Sequence, residues 1–415
     1  MKTRAPHGLR WRHAAIAWAA LTAGLCVVAA IRAESTTDFR DFWETARHFR
    51  LTGEMRSDLG VHNYLPFFTL FMVPWSLLPL RLAIVLFTAL SMALFGAAVY
   101  MLDTLLAGRR SRGARPATLL AAALMLPYVV SCAVLGAMGL LLAFLIVWGG
   151  WLAERRKDAW AGTALGLAAI LKLLPAALLV YFFVQLRWRI VLSGVLVVLA
   201  VGLVAPTAIL GLRESAYQHR AFRERALDEH SPRTTLMAEK PRKAKYSNNA
   251  APIVLRRILT PVDGDPSPDG PGLYVNVADL ARPLVWNTYM TVTLVLVGVS
   301  LLAALQLRRH RRRLAREHER AAFGAWCCLA LLAAPLMWTH YLPLAYWPLA
   351  SACGHAFGNT AARGRWLSRA ALVVWALCAL ALAWPAARAA GAQLFAVFAL
   401  WAACASAAHG RPGPR

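Results

Sequence analysis

The feature that most constrains this chain is a series of apolar runs, most of them near the roughly 20 residues that cross a bilayer as a helix, separated by short loops crowded with arginine. Of 415 residues, 59% are hydrophobic and 16% charged, and no soluble core hides so many long apolar segments. The chain reads as an all-α polytopic membrane protein. Its formal net charge of +25 is concentrated between the runs, the distribution expected where cytoplasmic loops are positive. No nucleic-acid-binding motif accompanies that charge, so the bilayer, not nucleic acid, is the expected partner.

The start, "MKTRAPHGLRWRHAAIAWAALTAGLCVVAAI", joins a basic segment to an apolar run longer than a signal peptide carries, and is expected to remain as a first span at about 14–31 with its N-terminus in the cytoplasm. Residues 32–63 then lie outside. The segment 64–80 holds prolines 66, 74 and 79 and makes a poor span. Crossing there would also strand the four arginines of "GRRSRGARP" outside, so 64–80 is read as interfacial or re-entrant. Spans follow near 82–106, 118–134 and 137–153, the last two meeting at an outer turn, "AVLGAMG".

The stretch "LAAILKLLPAALL" decides the rest of the threading. If 160–183 crossed as one helix, "RWR" at 187–189 and "RRHRRRLAREHER" at 308–320 would both fall outside. A break at "KLLP", where Pro175 removes a backbone donor, returns both to the cytoplasm. Residues 160–186 then form a broken hairpin of two half-helices with Lys172 near the tip. An ammonium at the centre of a membrane helix costs about 2.5–3.5 kcal/mol, so Lys172 is expected to line a polar cavity. The remaining spans are 190–211, 284–306, 321–336, 342–357, 367–386 and 391–408. About twelve membrane segments result, in a single membrane domain over 1–410 with a cytoplasmic tail at 411–415. The one long outer loop, 212–283, is rich in Pro, Gly, Asp and Arg and is expected to be irregular with one or two surface helices.

Seven cysteines lie in or beside apolar runs, without metal-ligand spacing, so neither a disulfide framework nor a zinc site is supported. The threading collects the unusual polar residues on the outer side: Asp38, Asp41, Tyr64, the Gly136 turn, Lys172, Asn248, Asn249 and "WTHY" at 338–341. A carboxylate, a cation and a histidine in one cavity suit group transfer from an anionic lipid. The carboxylate takes a proton from the attacking hydroxyl, and lysine and histidine stabilise the departing phosphate. Each residue has a plainer reading: Asp38 as a helix cap, Lys172 as a snorkelling lysine, the asparagines as turn formers, Tyr64 and Trp338 as interfacial anchors.

The order of these elements is more telling than any one of them. The series "DFRDFWETA", "YLPFFTLFMVPWSLLP", "LGAMGLLLAFLIVWGGWLAERRKDAWAGTALGLAAILKLLPAALLV", "SNNAAPIVLRRIL" and "APLMWTHYLPL", over roughly residues 35 to 345, resembles glycosyltransferase family 87. That resemblance implies a GT-C type bundle using polyprenyl-phosphate sugars. Asp38 matches the family's aspartate in the first outer loop, the implied general base, with Asp41 as rival. Lys172 and Pro175 match its lysine–proline element, Asn248 its loop asparagine, and His340 the histidine after a tryptophan. Asn249, Tyr64 and Arg257 join Lys172, His340 and Asn248 as substrate or donor-phosphate contacts. Two positions depart: Gly136-Ala137 stands where the family has Gly-Gln, and Asn248-Asn249-Ala250 where it has Asn-Gln-Ser, which suggests an altered sugar or acceptor pocket.

The implied activity is inverting transfer of a hexose, mannose foremost, from a polyprenyl-phosphate donor to a lipid or glycan acceptor. It takes place on the outer face of a bacterial cytoplasmic membrane, with no cofactor and no metal. A transporter or lipid flippase is the alternative; it favours broken helices in corresponding positions of both halves, and only one broken segment is present. A membrane scaffold without chemistry leaves the outer-face clustering unexplained.

Overall fold

In the computed structural model the described residues are 7–35, 38–55, 64–106, 114–241, 243–265, 272–310, 316–358 and 362–409. Several charge runs used in the threading, 108–113, 311–315 and the tail 411–415, lie outside them, as do 56–63 and 266–271 of the outer loops. The described residues form α1 (His7–Ile31), α2 (Asp38–Thr52), α3 (Phe67–Met72), α4 (Leu80–Leu106), α5 (Ala114–Leu135), α6 (Gly139–Glu154), α7 (Asp158–Leu171), α8 (Ala176–Val184), α9 (Trp188–Leu199) and α10 (Ala205–Leu210). There follow α11 (Leu212–Phe222), α12 (Pro232–Met237), α13 (Ala251–Leu259), α14 (Arg282–His310), α15 (Arg316–Leu332), α16 (Tyr346–Phe357), α17 (Ala362–Leu380), α18 (Pro385–Ala389) and α19 (Ala392–Ala408). No strand occurs among the described residues; one isolated bridge pairs Asn248 with Trp338.

Among the described residues, six helices are long and apolar enough to cross a membrane: Trp11–Ile31, Leu80–Leu106, Pro116–Leu135, Trp188–Leu210, Arg282–His310 and Gly364–Ala383. With large apolar side chains such as Leu196, Leu294 and Leu377 exposed on their outer faces, these make the chain an integral membrane protein. α15 lies at the centre, buried from Ala321 to Leu332, against α19, α16 and α14. α7 and α9 pack closely through "GTALG": a Cβ on Gly162 would collide with the Ile190 carbonyl and Ser193. Small residues at a four-residue spacing are how helices approach where lipid removes the hydrophobic drive.

The expected interruptions are present. Pro66, Pro74 and Pro79 leave 64–80 as α3 followed by a 3₁₀ segment, Val73–Leu77. α7 ends at Lys172, which is extended (φ −157°, ψ 132°), and α8 starts after Pro175. With 14 and 9 residues, the two halves are roughly 21 and 14 Å long, each short of the ~30 Å core.

Ion pairs tie one end of the bundle together. Arg320 at the start of α15 makes a bidentate pair with Glu154 at the end of α6, at 2.7 and 2.9 Å. Arg187, between α8 and α9, bonds to Asp158 and to the Ala153 carbonyl (2.7 Å). The break at Lys172 therefore brings 187 back to the end where 154–158 and 320 meet.

The long segment 212–283 departs from expectation. It holds α11, a π-helical stretch Arg223–Asp228, α12 and α13, so it is largely helical up to Leu259. The reason is a second, small apolar core, where Leu236 packs with Val285 and Tyr289 of α14. Burying apolar faces of α12 and α13 there rewards helix formation that composition alone does not signal.

Candidate functional site

Four separate pieces of chain meet at the end of the bundle opposite the Glu154–Arg320 pair. α2 is amphipathic and buries Phe39, Phe42, Thr45 and Ala46, which sets Asp38 and Asp41 in its first turn. Phe39 lies against the α5–α6 turn at Gly136, whose φ of +62° favours glycine and where a Cβ would run into the Phe39 side chain. Gly139 allows the closest approach: its missing side chain makes room for the His340 carbonyl, which also accepts a bond from the Cys132 thiol at 2.9 Å. His340 and Tyr341 stand in the 3₁₀ segment Thr339–Ala345 that follows α15. The tip of the α7–α8 hairpin completes the cluster with Lys172.

Lys172 donates to the Tyr341 hydroxyl and lies 3.8 Å from the centre of the Tyr341 ring and 4.8 Å from that of Tyr64. Tyr64 is stacked on Phe68 (4.0 Å) and edge-on to Phe42, so the aromatic wall under the ammonium is rigid. Two ring faces stabilise a cation without neutralising it. His340 Nε2 is 3.6 Å from Asp38 Oδ2. Burial raises the Asp38 carboxyl from its usual value to about 6; Lys172 opposes that shift and Asp41 adds to it. Burial, and then Lys172, lower His340 to about 3. At neutral pH the contact is therefore a carboxylate beside a neutral imidazole.

His340, expected across the cavity with Lys172 on the phosphate side, instead flanks the carboxylate. Ring packing against Tyr341 (centroids 4.8 Å) turns the imidazole toward α2. Asp41 also has a raised pKa, from burial first and then Glu44, with Arg40 opposing. Asn248, Asn249 and Arg257, grouped with the donor contacts by sequence, are fully buried. Asn248 Oδ1 accepts from the Ala250 and Met337 amides at 3.1 and 3.2 Å, and its Nδ2 donates to the Lys243 carbonyl at 3.2 Å. Arg257 donates to the carbonyls of Ala244, Lys245 and Asn248. A loop pushed into the protein must find partners for its backbone groups, and these side chains supply them. They hold the 243–249 loop against Met337–Trp338, directly before His340.

Residues 62–337 match the family model described as Glycosyltransferase family 87. The chain belongs to glycosyltransferase family 87. No curated protein and no solved structure matches it. The family 87 match contains Tyr64, Lys172, Asn248, Asn249 and Arg257, while Asp38 and Asp41 precede its start at 62 and His340 follows its end at 337. The fold brings Asp38 and His340 onto Lys172 all the same. Sequence reading gave no site role to Tyr341, Cys132 or Gly139. Tyr341 had a signal, the "WTHY" motif; the thiol–carbonyl contact across 208 residues and the close approach at Gly139 had none. Of the two departures, Ala250 is buried and serves as N-cap of α13 with no side-chain cap bond, and Ala137 is buried in the α5–α6 turn. At 250 the hydroxyl that serine would bring acts on a helix end.

Proposed function

We propose that this family 87 protein transfers a hexose, mannose foremost, from a polyprenyl-phosphate donor to a lipid or glycan acceptor with inversion. The observation that carries the reading is the pairing of a proton-accepting carboxylate with an ammonium held by aromatic rings instead of a counter-ion, at the end of the bundle away from the ion-paired basic loops. Asp38 is the base. With its pKa near 6 it is ionised at neutral pH yet more basic than an ordinary aspartate, which favours general-base catalysis. It removes the acceptor's hydroxyl proton as that oxygen bonds to the anomeric carbon and the bond from that carbon to the phosphate oxygen breaks. The polyprenyl phosphate leaves with its charge against Lys172, with Tyr64 and Tyr341 fixing the ammonium. His340 positions the Asp38 carboxylate; its 3.6 Å contact shortens to a hydrogen bond as the substrates close the site. Asn248, Asn249 and Arg257 act through the 243–249 loop.

In the membrane, this reading has both termini in the cytoplasm, residues 32–63 and 212–283 outside, and a GT-C type bundle of about twelve segments in a bacterial cytoplasmic membrane. The gathering of 154–158, 187 and 320 at one end supports it, because positive loops stay inside. A cysteine at Asp265 is expected to react with an impermeant reagent from outside; labelling from the cytoplasmic side alone overturns the orientation. For activity, the purified protein is given radiolabelled polyprenyl-phosphate mannose and membrane lipids. Labelled glycolipid formed by wild type but not by Asp38→Asn is the expected result. Movement of the donor across vesicles without any transfer would establish a flippase instead.

A further inference from the structure

A short polar network ties α11 to the span before it, at an irregularity in that span. The helix Trp188–Leu210 consists of α9, a π-helical stretch Ala200–Val204, and α10. Pro206 has no N–H to send to the Gly202 carbonyl four residues back, as an α-helix would, so that carbonyl has to find a donor elsewhere. Gly211, at φ +80°, ends α10, and α11 packs against it. His219 of α11 reaches back to the irregular turn: its Nε2 is 3.1 Å from the Gly202 oxygen. Its Nδ1 is 2.8 Å from the Ser215 carbonyl, one turn earlier in α11. The buried Ser215 hydroxyl is 3.0 Å from Thr207 Oγ1, and Thr207 donates to the Leu203 carbonyl at 2.8 Å.

Protons are scarce in this network. It has four contacts, each needing one proton, and three of them end on carbonyl oxygens, which only accept. Thr207 and Ser215 bring one proton each. A neutral imidazole brings one more and leaves a contact with two lone pairs facing, whereas an imidazolium brings two and fills all four. The serine proton cannot make up the difference. Nδ1 is 3.4 Å from Ser215 Oγ, and turning the hydroxyl there would empty its 3.0 Å contact with Thr207. A neutral ring keeps its proton on Nδ1, at the nearer carbonyl, so the contact that lapses is the tie across to Gly202.

Neighbouring charges do not stand in for the missing proton. On α11 the other ionisable groups are Arg213, Glu214, Tyr217 and Arg220, and on the π-helical stretch that follows they are Arg223, Glu224, Arg225 and Asp228. Glu214 accepts from Gln218 at 2.8 Å, and Arg223 lies 3.7 Å from Asp228. Residues 199–211 of the span, and α3 packed on them, carry no ionisable side chain. Among the described residues, no carboxylate is within ion-pair distance of the His219 ring. We infer that His219 is a pH-operated latch: its imidazolium holds α11 on the span through Gly202, and the neutral ring releases it. Protonation and closure favour each other, so the latch closes as the surroundings turn acidic and opens as pH rises through the range where imidazoles titrate. It holds the first helix of the 212–283 segment, whose later part carries the 243–249 loop braced on Met337. None of this depends on the transferase reading.

The test is amide hydrogen exchange of the full chain in detergent, read on peptides covering α11 at about pH 5 and about pH 8 and corrected for the pH dependence of exchange itself. In wild type, protection of α11 is expected to fall by about tenfold or more at the higher pH, the scale of one hydrogen bond to a charged group. His219→Gln cannot take up a proton, so its α11 protection is expected to be the same at both pH values. Ser215→Ala removes one contact and one proton together, which leaves the neutral ring still one proton short, so its pH response is expected to remain. Equal α11 protection at both pH values in wild type overturns the latch, whether or not either variant folds. A response that persists in His219→Gln overturns it by assigning the titration to another group. A response lost in Ser215→Ala overturns the proton count on which the latch rests.

Discussion

The two ends of the bundle treat charge in opposite ways. At one, Glu154 and Arg320 form a bidentate pair and Arg187 is matched to Asp158 and a carbonyl. At the other, Lys172 rests on two tyrosine rings, and Asp38 faces a neutral imidazole at 3.6 Å. Matched charges lock helix ends together and have nothing left to offer a ligand. Charges left unmatched in half-buried surroundings cost stability, and their pKa values shift, which is the usual condition of groups that do chemistry. The same residue types thus serve structure at one end and are available for reaction at the other.

The largest effect is expected at the matched end. Arg320→Met leaves Glu154 buried without its partner, and a loss of about 3–5 kcal/mol is expected, read as a fall in thermal stability of the purified protein. Asp38→Asn should do the opposite: melting temperature unchanged or raised, turnover down by about 10²-fold or more. If Asp41→Asn lost transfer and Asp38→Asn kept it, the carboxylate would be the wrong one. Lys172→Met removes a costly ammonium, so folding is expected to survive while KM for the donor rises about tenfold, the effect of losing one charged hydrogen bond.

Acid sharpens the contrast. With Asp38 as the proposed base, the transfer rate should rise with pH through about 6, whereas an ordinary aspartate titrates near its reference value of 3.8. Stability runs the other way. The folded state holds this proton more tightly than the unfolded chain, so the Asp38 contribution falls as pH rises from about 4 to about 6 and is flat above. His340→Gln should keep that kinetic limb, because the histidine titrates far below it. Loss of the limb in this variant would assign it to the imidazole. The smallest change expected is at Ala250→Ser, which adds the missing cap of α13 and is worth about 1 kcal/mol in thermal unfolding without altering donor KM.

Much of the helical framework was legible in the sequence, since run length and proline position are local properties. Pro175 announced the break after Lys172, and the prolines of 64–80 announced a short helix followed by a 3₁₀ segment. Helices in 212–283 were underestimated because their apolar partners lie on α14, at positions such as Val285 and Tyr289, distant in the chain. Asn248 and Arg257 stood out as polar residues in a motif. That they face backbone carbonyls and amides instead of an open site depends on how the loop is buried.

By itself, the sequence determined that this chain is a helical membrane protein, where prolines interrupt its helices at 66–79 and 175, and which polar residues are too costly to be incidental, because the price of an unpaired backbone group or an ammonium in hydrocarbon depends only on the local residues. It did not determine which of those residues meet. That His340 turns to Asp38 and that Tyr64 and Tyr341 enclose Lys172 were decided by tertiary structure. Contacts between residues 132 and 340, or 172 and 341, arise from helix packing and close approach at Gly136 and Gly139, and packing depends on every surface at once.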